Sequence, residues 1–150
     1  MSLGDKIEAL KRLPIFKGFE LEALRLLAFG AQETKFGANE EIFRQGEKSH
    51  AAYLILTGVI VLDMGREGFR QAQFVGPGAL IGERALLTET QYSVTGKTSE
   101  PTVALKISRD LLRQVLDEFP HSAVAMRDYV TKKIGKFRKE IETTQRSISI

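Results

Sequence analysis

The hydrophobic pattern changes period twice along the chain, from helical to alternating and back to helical. Leu21, Leu24 and Leu27 recur at helical spacing, which predicts an amphipathic helix over Glu20 to Gly30. Pro14 and Gly18 punctuate the segment before it, and a short helix is expected at about Lys6 to Leu13. From Gln32 onward the pattern breaks into short runs. Thr34 to Phe36, Glu41 to Phe43, Tyr53 to Thr57, Val59 to Asp63, Phe69 to Phe74, Tyr92 to Thr95 and Thr102 to Ile107 all read as strands. Glycines at 37, 46, 58, 65, 68, 76 and 78 separate them. Gly65-Arg66-Glu67-Gly68 is the clearest hairpin tip, because glycine tolerates the positive φ that such turns need. Many short strands with glycine turns predict a sandwich or barrel rather than a parallel α/β sheet.

At Ser108 the helical period returns. Leu111, Leu112, Val115, Leu116 and Phe119 form one apolar stripe, with Ser108 placed to cap its N-terminus. Pro120 ends that helix or starts the next. Met126, Val130, Ile134, Phe137 and Ile141 then follow at spacings of four, four, three and four, a heptad-like seam. Gly135 weakens this helix by about 1 kcal/mol relative to alanine. Ser147 to Ile150 is expected to fray. With no linker or repeat in view, one mainly-β domain with flanking helices is expected over residues 1–150. Its helical N-terminal part covers about 5–30, its barrel about 32–107 and its C-terminal helices about 108–145.

Composition excludes several classes of function. The chain has 150 residues, 43% hydrophobic and 27% charged, which is enough for one proper core. It has no cysteine, so disulfides, thiolate metal sites and thiol nucleophiles are excluded. His50 and His121 are the only histidines and lie far apart, so no metal site is expected on them. No Ser-His-Asp pattern, P-loop or paired catalytic carboxylates appear, and no enzyme is expected. The apolar stretch from Ala51 to Leu62 is too short for a bilayer, which needs about 20 residues. Asp5, Lys6 and Glu8 interrupt any secretion core, and no role is assigned to Met1-Ser2-Leu3. A cytoplasmic protein is expected. The net charge of +3 is modest for a nucleic-acid binder. Lys132, Lys133, Lys136, Arg138 and Lys139 make the last helix basic, but no recognition helix follows. A solvated face, with Lys136 and Glu140 paired, is the plainer account.

The segment Gly76-Pro77-Gly78-Ala79-Leu80-Ile81-Gly82-Glu83-Arg84-Ala85-Leu86-Leu87 carries the most specific pattern. It has a glycine turn, an apolar residue, Gly-Glu, and then Ala-Leu-Leu. This resembles the phosphate-binding cassette of cyclic-nucleotide-binding domains. Leu13-Pro14-Ile15-Phe16, Ile42-Phe43-Arg44-Gln45-Gly46-Glu47 and Tyr53-Leu54-Ile55-Leu56-Thr57-Gly58-Val59-Ile60 resemble other stretches of that family, in order, so the likeness runs from about Leu13 to Ile134. The resemblance implies an eight-stranded jelly-roll (double-stranded β-helix) barrel with N-terminal helices and C-terminal B and C helices. It implies that Ile81, Gly82, Glu83, Arg84 and Ala85 line a ligand site, with cyclic AMP or cyclic GMP as regulatory ligand. Glycine lets the backbone approach a ligand closely, and a helix starting near Glu83 would turn N–H groups toward a phosphate. The family's glutamate accepts hydrogen bonds from the ribose 2′-hydroxyl, which implies that role for Glu83.

The chain departs from the family where an arginine is expected, nine or ten positions after the glutamate. Those positions are Tyr92 and Ser93, and Glu89 to Thr95 contains no arginine or lysine. A carboxylate beside a phosphate needs a countercharge. Charged hydrogen bonds contribute about 1.5–3 kcal/mol each, so losing that pair should lower affinity by about tenfold to a hundredfold. Arg84 stands where the family usually has an apolar residue. It either folds back to replace the cation or points outward, and neighbours on a helix do not share a face. Tyr92 either stacks on a base or fills the phosphate space with its ring.

Three functions fit these residues. One is a regulatory small-ligand module with weak or altered cyclic-nucleotide binding. A second is a ligand-free structural or dimerisation module. A third is the sensor part of a transcription regulator whose DNA-binding domain is absent here, since no helix-turn-helix is expected before Ile150. A homodimer through the C-terminal helix is expected, because the catabolite-activator-like members use that helix as a coiled coil and an exposed apolar stripe is costly. Membrane and nucleic-acid partners are not expected.

Overall fold

A computed structural model describes residues 1–63 and 72–148, with the backbone alone for 136–148. The N-terminal part is α1 (Leu3–Lys11), a 3-10 turn (Pro14–Phe16) and α2 (Leu21–Gly30). The first helix begins three residues earlier than expected, and its cap explains why. Ser2 accepts a hydrogen bond from the Asp5 N–H, and Asp5 reaches back to the Ser2 N–H, a reciprocal capping box. Ser2, which the sequence left without a role, therefore sets where α1 starts.

Ten strands follow: β1 (Gln32–Phe36), β2 (Glu41–Phe43), β3 (Lys48–Ser49), β4 (Ala51–Thr57), β5 (Ile60–Asp63), β6 (Ala72–Val75), β7 (Leu80–Ile81), β8 (Thr90–Gln91), β9 (Thr95–Thr98) and β10 (Thr102–Ser108). Among the described residues they form two four-stranded antiparallel sheets, β1-β10-β4-β7 and β2-β9-β5-β6, and a short β3-β8 ladder. This is the mainly-β jelly-roll arrangement with helices at both ends. The expected hairpin tip at Gly65–Gly68 lies outside the described residues. The expected strand at Tyr92–Thr95 is displaced: pairing stops at Gln91 and resumes at Thr95. Tyr92 instead exchanges backbone hydrogen bonds with the 46–47 turn, its N–H to Glu47 O and its C=O from Gly46 N–H, both at 2.9 Å.

Strand β4 shows why the apolar run from Ala51 to Leu56 does not alternate with polar residues. Both of its faces are buried. Ala52 and Leu54 face a cluster shared with α1, α2 and the later helices, while Tyr53 and Ile55 face the barrel interior with Phe43, Ile60 and Ile81. Gly58, after β4, has φ +95°, and a Cβ there would sit 2.6 Å from Pro101 O and 2.3 Å from Thr102 Oγ1. Glycine is required on both counts.

After β10, Ser108 accepts from Leu111 N–H and caps α4 (Arg109–Glu118), as the sequence predicts. Pro120 opens α5 (Pro120–Ile148) rather than ending α4. The proximal end of α5 is anchored. Ser122 is fully buried and accepts the Glu20 N–H at 3.1 Å, and Met126 is 5% exposed within the helical cluster. Met126 was expected in a contact with a second copy, but its own core covers it. Ile134 is 54% exposed. The side chains of Phe137 and Ile141 lie outside the described residues. Leu21, also expected on a buried stripe, is 56% exposed, and Ala23, Leu24, Leu27 and Ala28 form the buried face of α2 instead. Among the described residues no helix is long and apolar enough to cross a membrane.

Candidate functional site

The turn after β7 builds the site. Gly82 has φ +80°, a conformation glycine adopts without strain, and a Cβ there would stand 3.3 Å from the Tyr92 ring and 3.4 Å from Ala51 O. This turn leads straight into the single-turn helix α3 (Arg84–Leu87), whose N-cap is Glu83. The Ala85 N–H donates to Gly82 O at 2.9 Å and the Leu86 N–H to Glu83 O at 3.0 Å. Ala85 and Leu86 are buried and seat the turn, while Arg84 is exposed.

A cleft of about 160 Å³ lies against this turn, lined by Phe43, Ser49, Ile81 to Ala85 and Thr90 to Val94. All seven residues singled out from the sequence border it: Ile81, Gly82, Glu83, Arg84, Ala85, Tyr92 and Ser93. It is smaller than the roughly 300–1,000 Å³ of ordinary small-molecule pockets. Tyr92 is part of its lining. Its ring stacks on Phe43 with centroids 4.3 Å apart, and its hydroxyl donates to Ala51 O at 2.8 Å. Phe43 in turn stacks on Tyr53, with centroids 6.0 Å apart. The Tyr92 ring is thus part of the cleft wall. Burial raises the phenol pKa of Tyr92, and burial together with the neighbouring Tyr92 pushes that of Tyr53 up to about 12.

Glu83 is not free. Its Oε1 accepts a hydrogen bond from the Tyr129 hydroxyl at 2.6 Å, and its Oε2 pairs with the Lys133 ammonium, both from α5. Lys133 also lies 5.6 Å from the Tyr129 ring centroid. Burial raises the Tyr129 pKa, and the adjacent Glu83 carboxylate raises it further. Burial acts to lower the Lys133 pKa, but the hydrogen bond and charge of Glu83 outweigh it and the net shift is upward. The countercharge of Glu83 thus comes from Lys133, fifty positions along the chain, and not from Arg84. The Arg84 side chain borders the cleft without a hydrogen bond or ion pair among the described residues.

A second cation braces the site from behind. Arg109, the first residue of α4, donates through Nη1 to Ser49 O at 3.1 Å and to Ala85 O and Thr88 O at 3.0 Å. Its own N–H donates to His50 O at 2.9 Å. One guanidinium therefore ties the end of α3, the β3-β4 junction and α4 together.

The sequence reading missed Phe43, Arg109, Tyr129 and Lys133 as parts of the site. Tyr129 and Lys133 carried a usable signal, being four apart and so on one helix face. Lys133 was absorbed into the basic run, and Arg109 had no local signal. Among the described residues no cluster of side chains suits a metal ion.

The sequence profile of the cyclic nucleotide-binding domain matches residues 33–119. Over 86 residues the chain is 35% identical to a cGMP-dependent protein kinase of Eimeria tenella, covering 57% of this chain and 8% of the kinase. It is 26% identical to the Cyclic AMP receptor protein of Thermus thermophilus, covering 89% of this chain and 62% of that protein. The chain thus spans less than two thirds of the length of these relatives. Among solved structures, a cyclic nucleotide-binding-like protein from Brucella abortus shares 38% identity at a TM-score of 0.70, covering 75% of this chain and 98% of that one. The N-terminal domain of a transcriptional regulator from Streptomyces coelicolor, 23% identical, matches the fold at a TM-score of 0.81 over 89% of this chain and 94% of that one. With a family profile covering β1 through α4 and the glycine-glutamate turn in its midst, the chain belongs to the cyclic nucleotide-binding domain family.

Proposed function

We propose that this chain is a regulatory module, not an enzyme, that takes a cyclic nucleotide weakly in the cleft beside Glu83. The observation that carries this reading is the wiring of Glu83. It sits on the Gly82 turn at the cleft, and both carboxylate oxygens connect directly to α5. A ligand that engages Glu83 must therefore act on the C-terminal helix, and differential affinity for two helix arrangements is what a sensor requires. Relatives described as a cGMP-dependent kinase and a Cyclic AMP receptor protein make cyclic AMP and cyclic GMP the ligands to try first.

Weak binding follows from the Tyr92 ring, which occupies cleft space while bringing no positive charge. Tyr92→Arg supplies the missing cation and empties that space. Calorimetry should show cyclic AMP or cyclic GMP binding at least tenfold tighter than in the wild type, about 1.4 kcal/mol. Low-micromolar binding by the wild type would reject the claim that the cleft is defective. A second reading, a ligand-free structural module, draws on the Phe43–Tyr92 stack and the small cleft. A thermal-shift panel separates the two, since a ligand at 100 times its dissociation constant stabilises by about 2.7 kcal/mol.

The effector is proposed to lie beyond this one-domain module, in the cytoplasm, as in a transcription regulator. The distal part of α5, from Ile134 onward, is the proposed homodimer seam. Ile134→Asp should yield monomers, and a monomeric wild type by light scattering at micromolar concentration would remove the dimer from the proposal.

A further inference from the structure

We propose that Tyr129 and Lys133 form a tethered latch on Glu83, so that ligand binding and docking of the distal part of α5 exclude one another. The inference deepens the reading of the cleft as a cyclic-nucleotide site and rests on it. Tyr129 and Lys133 lie one turn apart on the same face of α5. They take one carboxylate oxygen each, and the Glu83 side chain is left only 20% exposed. A ligand hydroxyl donating to Glu83 would compete with these two donors for a carboxylate that is already largely covered.

The anchoring of α5 leaves Tyr129 at the edge of the part packed on the core and Lys133 beyond it. Ser122 and Met126 are buried, and Val130 packs against the helical cluster. Beyond that point Thr131, Lys132, Ile134 and Gly135 are exposed, and nothing lies within 4 Å of a Cβ built on Gly135. The pair of Lys133 with Glu83 therefore holds a stretch of helix that the core does not. Lys133 is 52% exposed, so the tie is weak enough for a ligand to break. A latch closed most of the time raises the apparent dissociation constant by the inverse of its open fraction. The coupling is reciprocal: ligand frees the distal helix by the factor that freeing the helix tightens ligand.

The test compares the full chain with two double variants, using hydrogen exchange of the amides at 129–135 and calorimetry with cyclic AMP. Tyr129→Phe with Lys133→Met should speed exchange there about tenfold and tighten cyclic AMP by a similar factor. Glu83→Lys with Lys133→Glu restores an ion pair of reversed sign. It should keep wild-type exchange and lose cyclic AMP. Unchanged exchange in the first variant, with cyclic AMP binding intact, overturns the latch alone. Weaker binding in that variant, with ligand slowing exchange in the wild type, makes Tyr129 and Lys133 ligand contacts and also overturns it. If none of the proteins binds cyclic AMP, the cyclic-nucleotide reading fails and the competition with it.

Discussion

The two hydrophobic clusters share strands β4 and β10 but are completed by different chemistry. On one face, Leu54, Leu105 and Ile107 meet Leu10, Leu27, Leu112 and Val115 from the helices. Most of its buried members are aliphatic. On the other face, Tyr53, Ile55 and Ala104 meet Phe43, Ile60 and Ile81, and the cluster is completed by the half-buried Tyr92 at the cleft. The first cluster stabilises the fold. The second does so too, but its rings also form the wall a ligand would touch, so sequence changes there alter the site along with the stability.

Matched truncations give the largest expected effect. Leu105, with no exposure, lies deep in the closed cluster, whereas Ile81 borders the cleft. Leu105→Ala should cost about 3–5 kcal/mol, near the upper end for a cavity that cannot collapse. Ile81→Ala should cost about 1–2 kcal/mol less, because solvent from the cleft can reach the space it leaves. Equal costs in urea denaturation would show that the second cluster is as closed as the first.

Alkaline titration, compared between the wild type and Tyr53→Phe, probes the second cluster. The Tyr53 phenol has a folded-state value of about 12 against an ordinary 10.0, so the native state holds its proton more tightly than the unfolded chain does. The stabilisation is complete below pH 10 and is lost as pH rises toward 12, amounting to about 2–3 kcal/mol in all. Tyr53→Phe has no such proton to lose. The stability difference between wild type and Tyr53→Phe should therefore shift against the wild type across pH 10 to 12. A constant difference would mean that Tyr53 is wetter than its 8% exposure indicates.

The contrast between the clusters also explains what could be read from the sequence. Strands β1, β2, β4, β5 and β10 and the cap at Ser108 follow from short strand-forming runs between turn residues and from local chemistry, because the residues that decide them are adjacent. The Gly82-Glu83 turn was legible through its resemblance to the family's cassette, and the positive φ of +80° at Gly82 shows why a glycine stands there. The two-residue strands β3, β7 and β8 carry no period of their own and exist through their partners. The Tyr92 strand misreading has a similar cause: an aromatic beside Val94 favours a strand, but a turn at 46–47 claims its backbone. The partners of Glu83 lie 46 and 50 positions away and become visible only once α5 folds back onto the turn.

The smallest effect isolates the hydroxyl of Tyr92 from its ring. Tyr92→Phe keeps the stack on Phe43 and removes the 2.8 Å hydrogen bond to Ala51 O. An ordinary hydrogen bond of this kind contributes about 0.5–1.5 kcal/mol net, so stability should fall by about 1 kcal/mol. Cyclic-nucleotide affinity should not change, because the ring still fills the same part of the cleft. This separates Tyr92→Phe from Tyr92→Arg, which removes the ring and adds charge. If Tyr92→Phe instead weakens cyclic AMP binding severalfold in calorimetry, the hydroxyl turns from Ala51 to the ligand. Tyr92 would then belong with Glu83 as a ligand contact, and the second cluster would open on binding instead of staying packed.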